Sequence, residues 1–167
     1  AGEDFFVPIS RDEFGNSISL SGDGTTLVVG AHQKGQDSVE ARQINSGAAY
    51  IFHKDEEGAW IQLAAFKGVR FEKFGSSVKI STDAQTIAIG VIGDGSRSIA
   101  SKVHILKIDA AGDWTQIAAV QTDNPNMGDK FGSSVSLSAD GSILAVGAPL
   151  EDSSFLGFQA HPVDNDE

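Results

Sequence analysis

The stretch FGSSVSLSADGSILAVGA, residues 131–148, decides the fold because close copies of it occur twice more in the chain. The earlier copies read FGNSISLSGDGTTLVVGA at residues 14–31 and FGSSVKISTDAQTIAIGV at residues 74–91. Each copy alternates apolar and polar residues, turns at an Asp and then runs apolar into a Gly. The alternation predicts a half-buried strand, and the apolar run predicts a strand buried on both faces. A unit that repeats in this way buries its apolar face by stacking on its neighbours.

Two further strands are predicted after each of the first two copies. Their sequences are AYIF at 49–52 and WIQLAAF at 60–66, then VHIL at 103–106 and WTQIAAV at 114–120. Four short antiparallel strands per repeat are typical of a β-propeller blade. A sandwich or barrel is the structural alternative, but neither requires such a repeat. The predicted fold class is therefore all-β, with propeller-type blades of four antiparallel strands.

The spacing of the copies predicts the division of the chain. Residues 14–73 and 74–130 are two blades, and residues 131–167 are the first half of a third blade followed by an acidic loop tail, with the third-strand region missing. Residues 1–13 are predicted to be the tail of a preceding blade strand, because Phe6 precedes Phe14 at the same spacing as Phe66 precedes Phe74. About 2.5 to 3 blades make an incomplete ring, since propellers have roughly 4–8. We expect a fragment of a larger propeller, or a chain whose ring another copy or another protein completes.

Two short motifs carry a family resemblance. Phe131-Gly132 and Gly147-Ala148-Pro149 resemble the ends of the FG-GAP repeat, the blade repeat of integrin α-subunit propellers and of many secreted microbial and algal proteins. The resemblance implies a non-enzymatic structural or adhesive protein-interaction module, part of a larger propeller or assembly. It also implies a secreted, cell-surface or organelle-lumen setting. WD-repeat propellers are the rival family, but no Trp-Asp pair closes a repeat here.

Composition excludes several classes of function. The formal net charge is −11, and such a surface repels nucleic acid and anionic membranes. No apolar run is long enough for a transmembrane helix, so no membrane insertion is expected. The chain has no Cys, which excludes disulfides and thiolate chemistry.

The acidic loops are the predicted partner-binding regions, because recognition usually lies on loops of a rigid scaffold. The expected partner is a protein or another copy that completes the propeller, with a glycan as a further possibility. The candidate residues are Asp37, Glu40, Glu151, Asp152, Asp164 and Asp166.

No cofactor is predicted, although calcium needs consideration. Many FG-GAP blades bind calcium between strands one and two, where several oxygen side chains are required. Here each turn has one carboxylate, Asp23, Asp83 or Asp140, which favours turn formation. A weak calcium-binding adhesion module remains an alternative function. Ala84 stands where the other turns have Gly, at a cost of about 1 kcal/mol if φ is positive.

The repeated aromatic residues are interpreted as structural. Phe14, Phe74 and Phe131 are predicted in the blade core, with Gly15, Gly75 and Gly132 allowing close backbone approach or special φ/ψ values. Trp60 and Trp114 are predicted to pack between blades. Their alternative role is a carbohydrate-stacking platform in a lectin-like propeller. No His–carboxylate–nucleophile spacing recurs, so no catalytic residues are predicted.

Overall fold

The chain folds into stacked antiparallel sheets. The computed structural model describes residues 12–35, 45–93, 99–122 and 128–151, and the backbone of residues 158–162. Within these ranges the elements are all strands, and no helix there is long and apolar enough to span a membrane.

Three sheets follow one another along the chain, and they confirm the predicted all-β blades of an incomplete propeller. The first has the order β1-β2-β3-β4, the second β5-β6-β7-β8 and the third β9-β10-β11. The strands are β1 Ser17–Leu20, β2 Thr26–Ala31, β3 Ala48–Lys54, β4 Trp60–Lys67, β5 Phe74–Ile80, β6 Thr86–Val91, β7 Lys102–Ile108, β8 Trp114–Val120, β9 Ser134–Leu137, β10 Ile143–Gly147 and β11 Phe158–Pro162.

The third sheet corrects one prediction. We expected residues 150–167 to be a loop tail with the third strand missing, but β11 pairs antiparallel with β10. Gly147 faces Phe158 in this pair, just as Gly30 faces Ala49 between β2 and β3. The third repeat therefore has its third strand in the register of the first repeat.

Two apolar clusters hold the sheets together. The first joins the first and second sheets and includes Val28 and Ile51 from one and Ile80 and Ile87 from the other. The second joins the second and third sheets through Val103, Ile105, Phe131, Leu137, Leu144 and Val146. Every residue of β6 is buried because sheets cover both of its faces, as the apolar run predicts.

Two glycines set the distance between neighbouring sheets. A Cβ on Gly30 would collide with the carbonyl oxygen of Gly75, and one on Gly90 would collide with that of Gly132. Serines one strand away complete each contact. Ser17 Oγ donates to the Gly75 carbonyl at 2.8 Å, and Ser77 Oγ donates to the Gly132 carbonyl at 2.7 Å. We call this arrangement the glycine junction.

The β1–β2 turn and its equivalents share one design. In the first, Asp23 accepts from Ser21 Oγ at 2.6 Å and from the Thr25 amide at 3.0 Å. The last turn residue has positive φ in all three, at 73° in Gly24, 57° in Ala84 and 69° in Gly141. Ala84 thus occupies the left-handed conformation that carries the expected cost.

Two aromatic residues of the first sheet are exposed, so their packing between blades stays a prediction. Phe14 is exposed, although Phe74 and Phe131 are buried as predicted. Trp60 is 42% exposed, whereas Trp114 is 8% exposed. The reason is the same for both, because in the described residues no sheet covers the face of the first sheet on which they lie.

Replacing Gly90 by Ala should lower the free energy of unfolding by about 2 kcal/mol, because the new Cβ must push two backbones apart. Urea denaturation measures the loss. Gly128→Ala is the matched control, since a Cβ there meets nothing within 4 Å, and it should stay within about 0.5 kcal/mol of the parent. Equal losses in the two variants would contradict the glycine junction.

Replacing Gly24 by Ala should cost about 1 kcal/mol, because its φ is 73° while the space around it is open. Gly24→Asn should lose less than half as much, since Asn tolerates this conformation. Thermal unfolding of the two variants measures the difference. If Asn and Ala were equally destabilising, backbone strain would not be the cause.

Candidate functional site

The predicted partner loops leave the sheets at one end. Ser17 at the start of β1 pairs with Gly30 near the end of β2, so the Phe-Gly segment and the loop after β2 lie at the same end. The second and third sheets repeat this arrangement in Phe74↔Val91 and Ser134↔Gly147. We call this the Phe-Gly end. The Asp turns and the β3–β4 and β7–β8 turns form the opposite end.

A buried carboxylate stands two residues before each Phe-Gly. These residues are Asp12, Glu72 and Asp129, each less than one-tenth exposed. Lys34 Nζ donates to Asp12 at 3.1 Å, and Lys102 Nζ donates to Glu72 at 2.6 Å. Sequence reasoning missed these acids. The signal that could have found them is the recurrence of Asp or Glu at this position in all three copies.

The residues that carry the buried acids also hold the loops after β6 and β10 through their backbone carbonyls, while the Lys34–Asp12 pair holds the loop after β2. The amide of Gly93 donates to the carbonyl of Glu72 at 3.2 Å, and the amide of Leu150 donates to that of Asp129 at 3.3 Å. Glu72 also accepts from the Val69 amide at 2.7 Å. The first residues of each loop are therefore held in place by hydrogen bonds or an ion pair.

Titratable side chains of the third strands lie beside these ion pairs. Burial raises the pKa of Tyr50, while Lys34 lowers it less strongly. The pKa of Lys34 is raised, because its contacts with Asp12 and Tyr50 outweigh the lowering caused by burial. His104 occupies the place of Tyr50 in the second sheet and bonds Gln116 at 2.8 Å. Burial lowers its pKa, which favours the neutral imidazole.

His32 is the other histidine at this end, and its Nε2 lies 3.3 Å from Glu13. Burial lowers the pKa of His32 despite this carboxylate. Three hydroxyl groups here donate to backbone carbonyls: Ser46 to Lys34 at 3.2 Å, Ser76 to Lys73 at 2.6 Å and Ser101 to Ile92 at 3.1 Å. These contacts give the hydroxyls a structural role.

Of the predicted partner-binding residues, the structure describes Glu151. It lies at the Phe-Gly end, half-buried, and its amide donates to the carbonyl of Ala148 at 3.2 Å. The other five residues lie outside the described residues: Asp37, Glu40, Asp152, Asp164 and Asp166. Their role stays a prediction.

The Asp turns at the opposite end use their carboxylates internally. Thr25 Oγ1 donates to the second oxygen of Asp23 at 2.8 Å, so both oxygens accept hydrogen bonds. Hydrogen bonds from Ser21 and Thr25 lower the pKa of Asp23 to about 2, and Ser138 and Ser142 do the same for Asp140. In the described ranges no three His, Asp or Glu residues are grouped to hold a metal ion.

Replacing Lys102 by Met should lower the free energy of unfolding by about 3 kcal/mol, because it leaves Glu72 buried and unpaired. Adding Glu72→Gln should restore part of this loss, and a double-mutant cycle in urea measures the coupling. Lys54→Met is the control, since Lys54 is exposed. Additive effects of the Lys102 and Glu72 changes would contradict a stabilising ion pair.

Comparisons with known proteins agree with this architecture. The periplasmic gluconolactonase of Pseudomonas aeruginosa, a solved structure, aligns with 83% of this chain at a TM-score of 0.56 and 16% identity. The alignment covers 37% of that protein, and at this identity the likeness shows the fold alone. No curated protein matches the sequence. The FG-GAP repeat model matches residues 9–52 and 114–157, more than half of the sequence. The chain belongs to the FG-GAP repeat family.

Proposed function

We propose that this chain is a non-enzymatic, structural or adhesive propeller module that binds a protein with a basic surface at its Phe-Gly end. The observation that carries the proposal is that the buried acids hold the loops of this end, Asp12 through its carboxylate and Glu72 and Asp129 through their backbone carbonyls. Loops on a rigid base lose less conformational entropy on binding, which favours recognition.

The charge of this end supports a basic partner. The chain has 23 acidic against 12 basic residues, and four acidic residues, Asp37, Glu40, Glu151 and Asp152, fall in the sequence of the loops that follow β2 and β10 at this end. Lys34 and Lys102 already neutralise Asp12 and Glu72, so neither is free to offset the loop charges. Complementary charge of this kind raises association rates and makes binding sensitive to salt.

Two features support a non-enzymatic role. Three serines at the Phe-Gly end are bonded to backbone carbonyls, and His104 is buried between the first and second sheets beside Phe74. The likeness to a lactonase does not decide the question, because propeller folds carry unrelated activities. The secreted, cell-surface or organelle-lumen setting belongs to the same proposal.

A glycan-binding role is the second candidate, and the exposed ring of Trp60 favours it. The equivalent Trp114 is buried under a neighbouring sheet. The exposed ring of Trp60 is therefore better explained as a surface that packs against protein than as one that binds a glycan. If a glycan array detects binding that Trp60→Ala abolishes without unfolding the chain, the lectin-like role replaces our proposal.

The proposal is tested by titrating immobilised protein with an oligo-lysine peptide at 0.05 and 0.15 M salt. Neutralising three loop residues, Asp37→Asn, Glu40→Gln and Asp152→Asn, should weaken binding at least tenfold. The control neutralises three exposed residues at the opposite end, Glu56→Gln, Glu57→Gln and Asp113→Asn, with the same change in net charge. This control should change the dissociation constant less than threefold. Equal losses, or no binding by the parent chain, would contradict the proposal.

A further inference from the structure

We propose that the turn between β4 and β5 binds a carboxylate group of the partner through Arg70, so that the partner combines a basic surface with one acidic side chain. We call residues 69–72 the arginine turn. It lies at the Phe-Gly end, because Lys67 at the end of β4 pairs with Ala48 at the start of β3. The inference rests on the function proposed above, since it specifies the partner that binds at this end.

Hydrogen bonds hold the arginine turn in one conformation. The amide of Glu72 donates to the carbonyl of Val69 at 3.1 Å, and the amide of Val69 donates to the Glu72 carboxylate at 2.7 Å. The other oxygen of this carboxylate accepts from Lys102 at 2.6 Å. The turn is therefore ordered before a partner arrives, which reduces the entropy lost on binding.

Phe71 has a backbone conformation that its residue type disfavours. Its φ is 69° at the third position of the turn, where a type II turn favours Gly. The third repeat has Gly128 at the equivalent position, three residues before its Phe-Gly. Strained residues are concentrated at functional sites. The Phe71 ring lies beneath Arg70, with 4.5 Å between Cζ and the ring centroid, so the strained residue positions the guanidinium group.

The guanidinium group of Arg70 lacks an acceptor. Its Nε is buried without a hydrogen-bond partner, and no ion pair among the described residues includes Arg70. Glu72 is close in sequence, but both of its carboxylate oxygens already accept hydrogen bonds. A carboxylate matches the planar fork of a guanidinium group and would satisfy the unpaired donor. Arg70 is half-buried, so a rotation of its side chain can bring Nε to such a group.

The charge around the arginine turn selects among basic partners. Lys73 follows the turn and also lies outside the ion pairs of the described residues. Its amide donates to the carbonyl of Asn45 at 3.0 Å, and Asn45 follows the sequence of the loop that contains Asp37 and Glu40. A uniformly basic partner on the acidic loops would meet repulsion from Arg70, whereas a carboxylate at that point would form an ion pair. Repulsion of this kind discriminates between partners.

Two lysine peptides measure this preference. One has eight lysines and a central glutamate, and the other has a glutamine in its place. Each is titrated against the immobilised protein at 0.15 M salt. Net charge alone would favour the glutamine peptide, which has one more positive charge. We expect the parent chain to bind the glutamate peptide at least threefold more tightly.

Arg70→Gln should reverse this order, because it removes both the ion pair to the glutamate peptide and the repulsion of the glutamine peptide. Lys107→Gln is the matched control, since it removes one positive charge from β7 at the opposite end. The control should keep the preference of the parent chain.

The outcomes separate this inference from the proposed function. A parent chain that prefers the glutamine peptide would overturn the inference and leave the proposed function in place. The same holds if Arg70→Gln keeps the parent's preference. If neither peptide binds the parent chain, the proposed function fails and the inference fails with it.

Two variants of Phe71 separate recognition from stability. Phe71→Ala removes the ring and keeps the strained φ, whereas Phe71→Gly removes both the ring and the strain. The Gly variant should therefore melt about 2–4 °C above the Ala variant. Both variants should lose the preference for the glutamate peptide. A preference that survives in both would overturn the positioning role of Phe71, and equal melting temperatures would overturn the strain.

Discussion

The approach of one sheet's glycine to the carbonyl of the next is the contact on which the rest of the structure depends. Gly30 and Gly90 leave no room for a side chain, so the distance between the sheets is fixed by backbone alone. A buried carbonyl needs a donor, and the serine hydroxyl supplies it. The Phe-Gly and the later Gly of the repeat are thus two halves of one contact, made between successive sheets. Because the two halves belong to different repeats, the contact explains why a single repeat carries both.

The sequence predicted the strands well because alternation and apolar runs report local pairing and burial. It leaves burial open where burial depends on a neighbouring sheet. Phe14 and Trp60 have the same local sequence pattern as Phe74 and Trp114. That pattern does not predict whether another sheet covers the face on which they lie. The strand β11 was missed because FQAHP is short and contains Pro. The partner-binding prediction rests on loop composition, and one of its six residues, Glu151, is described.

The buried acids were missed for a different reason. Carboxylates are rarely buried unless they are paired, so an Asp or Glu near a loop is expected to be exposed. Their partners do not repeat in register, because Lys34 follows β2 whereas Lys102 begins β7. Neutralisation of the buried charge is what the fold requires, and lysines from different strand ends provide it. A comparison of repeats position by position finds the acid and not its partner.

The outer faces of the first and third sheets carry exposed apolar side chains, which bear on how the propeller is assembled. Stacked repeat proteins need end repeats with a polar outer face to remain soluble. Ile18 and Leu20 break this rule, since they place apolar side chains where the second sheet has Val78 and Ile80 against its neighbour. Ile143 does the same at the other end. Both end sheets thus have the composition of internal sheets, and burial of their apolar faces would add a favourable free energy of about 25 cal/mol for each Å² covered. Such a pattern fits a chain whose two ends are both covered in the assembled propeller.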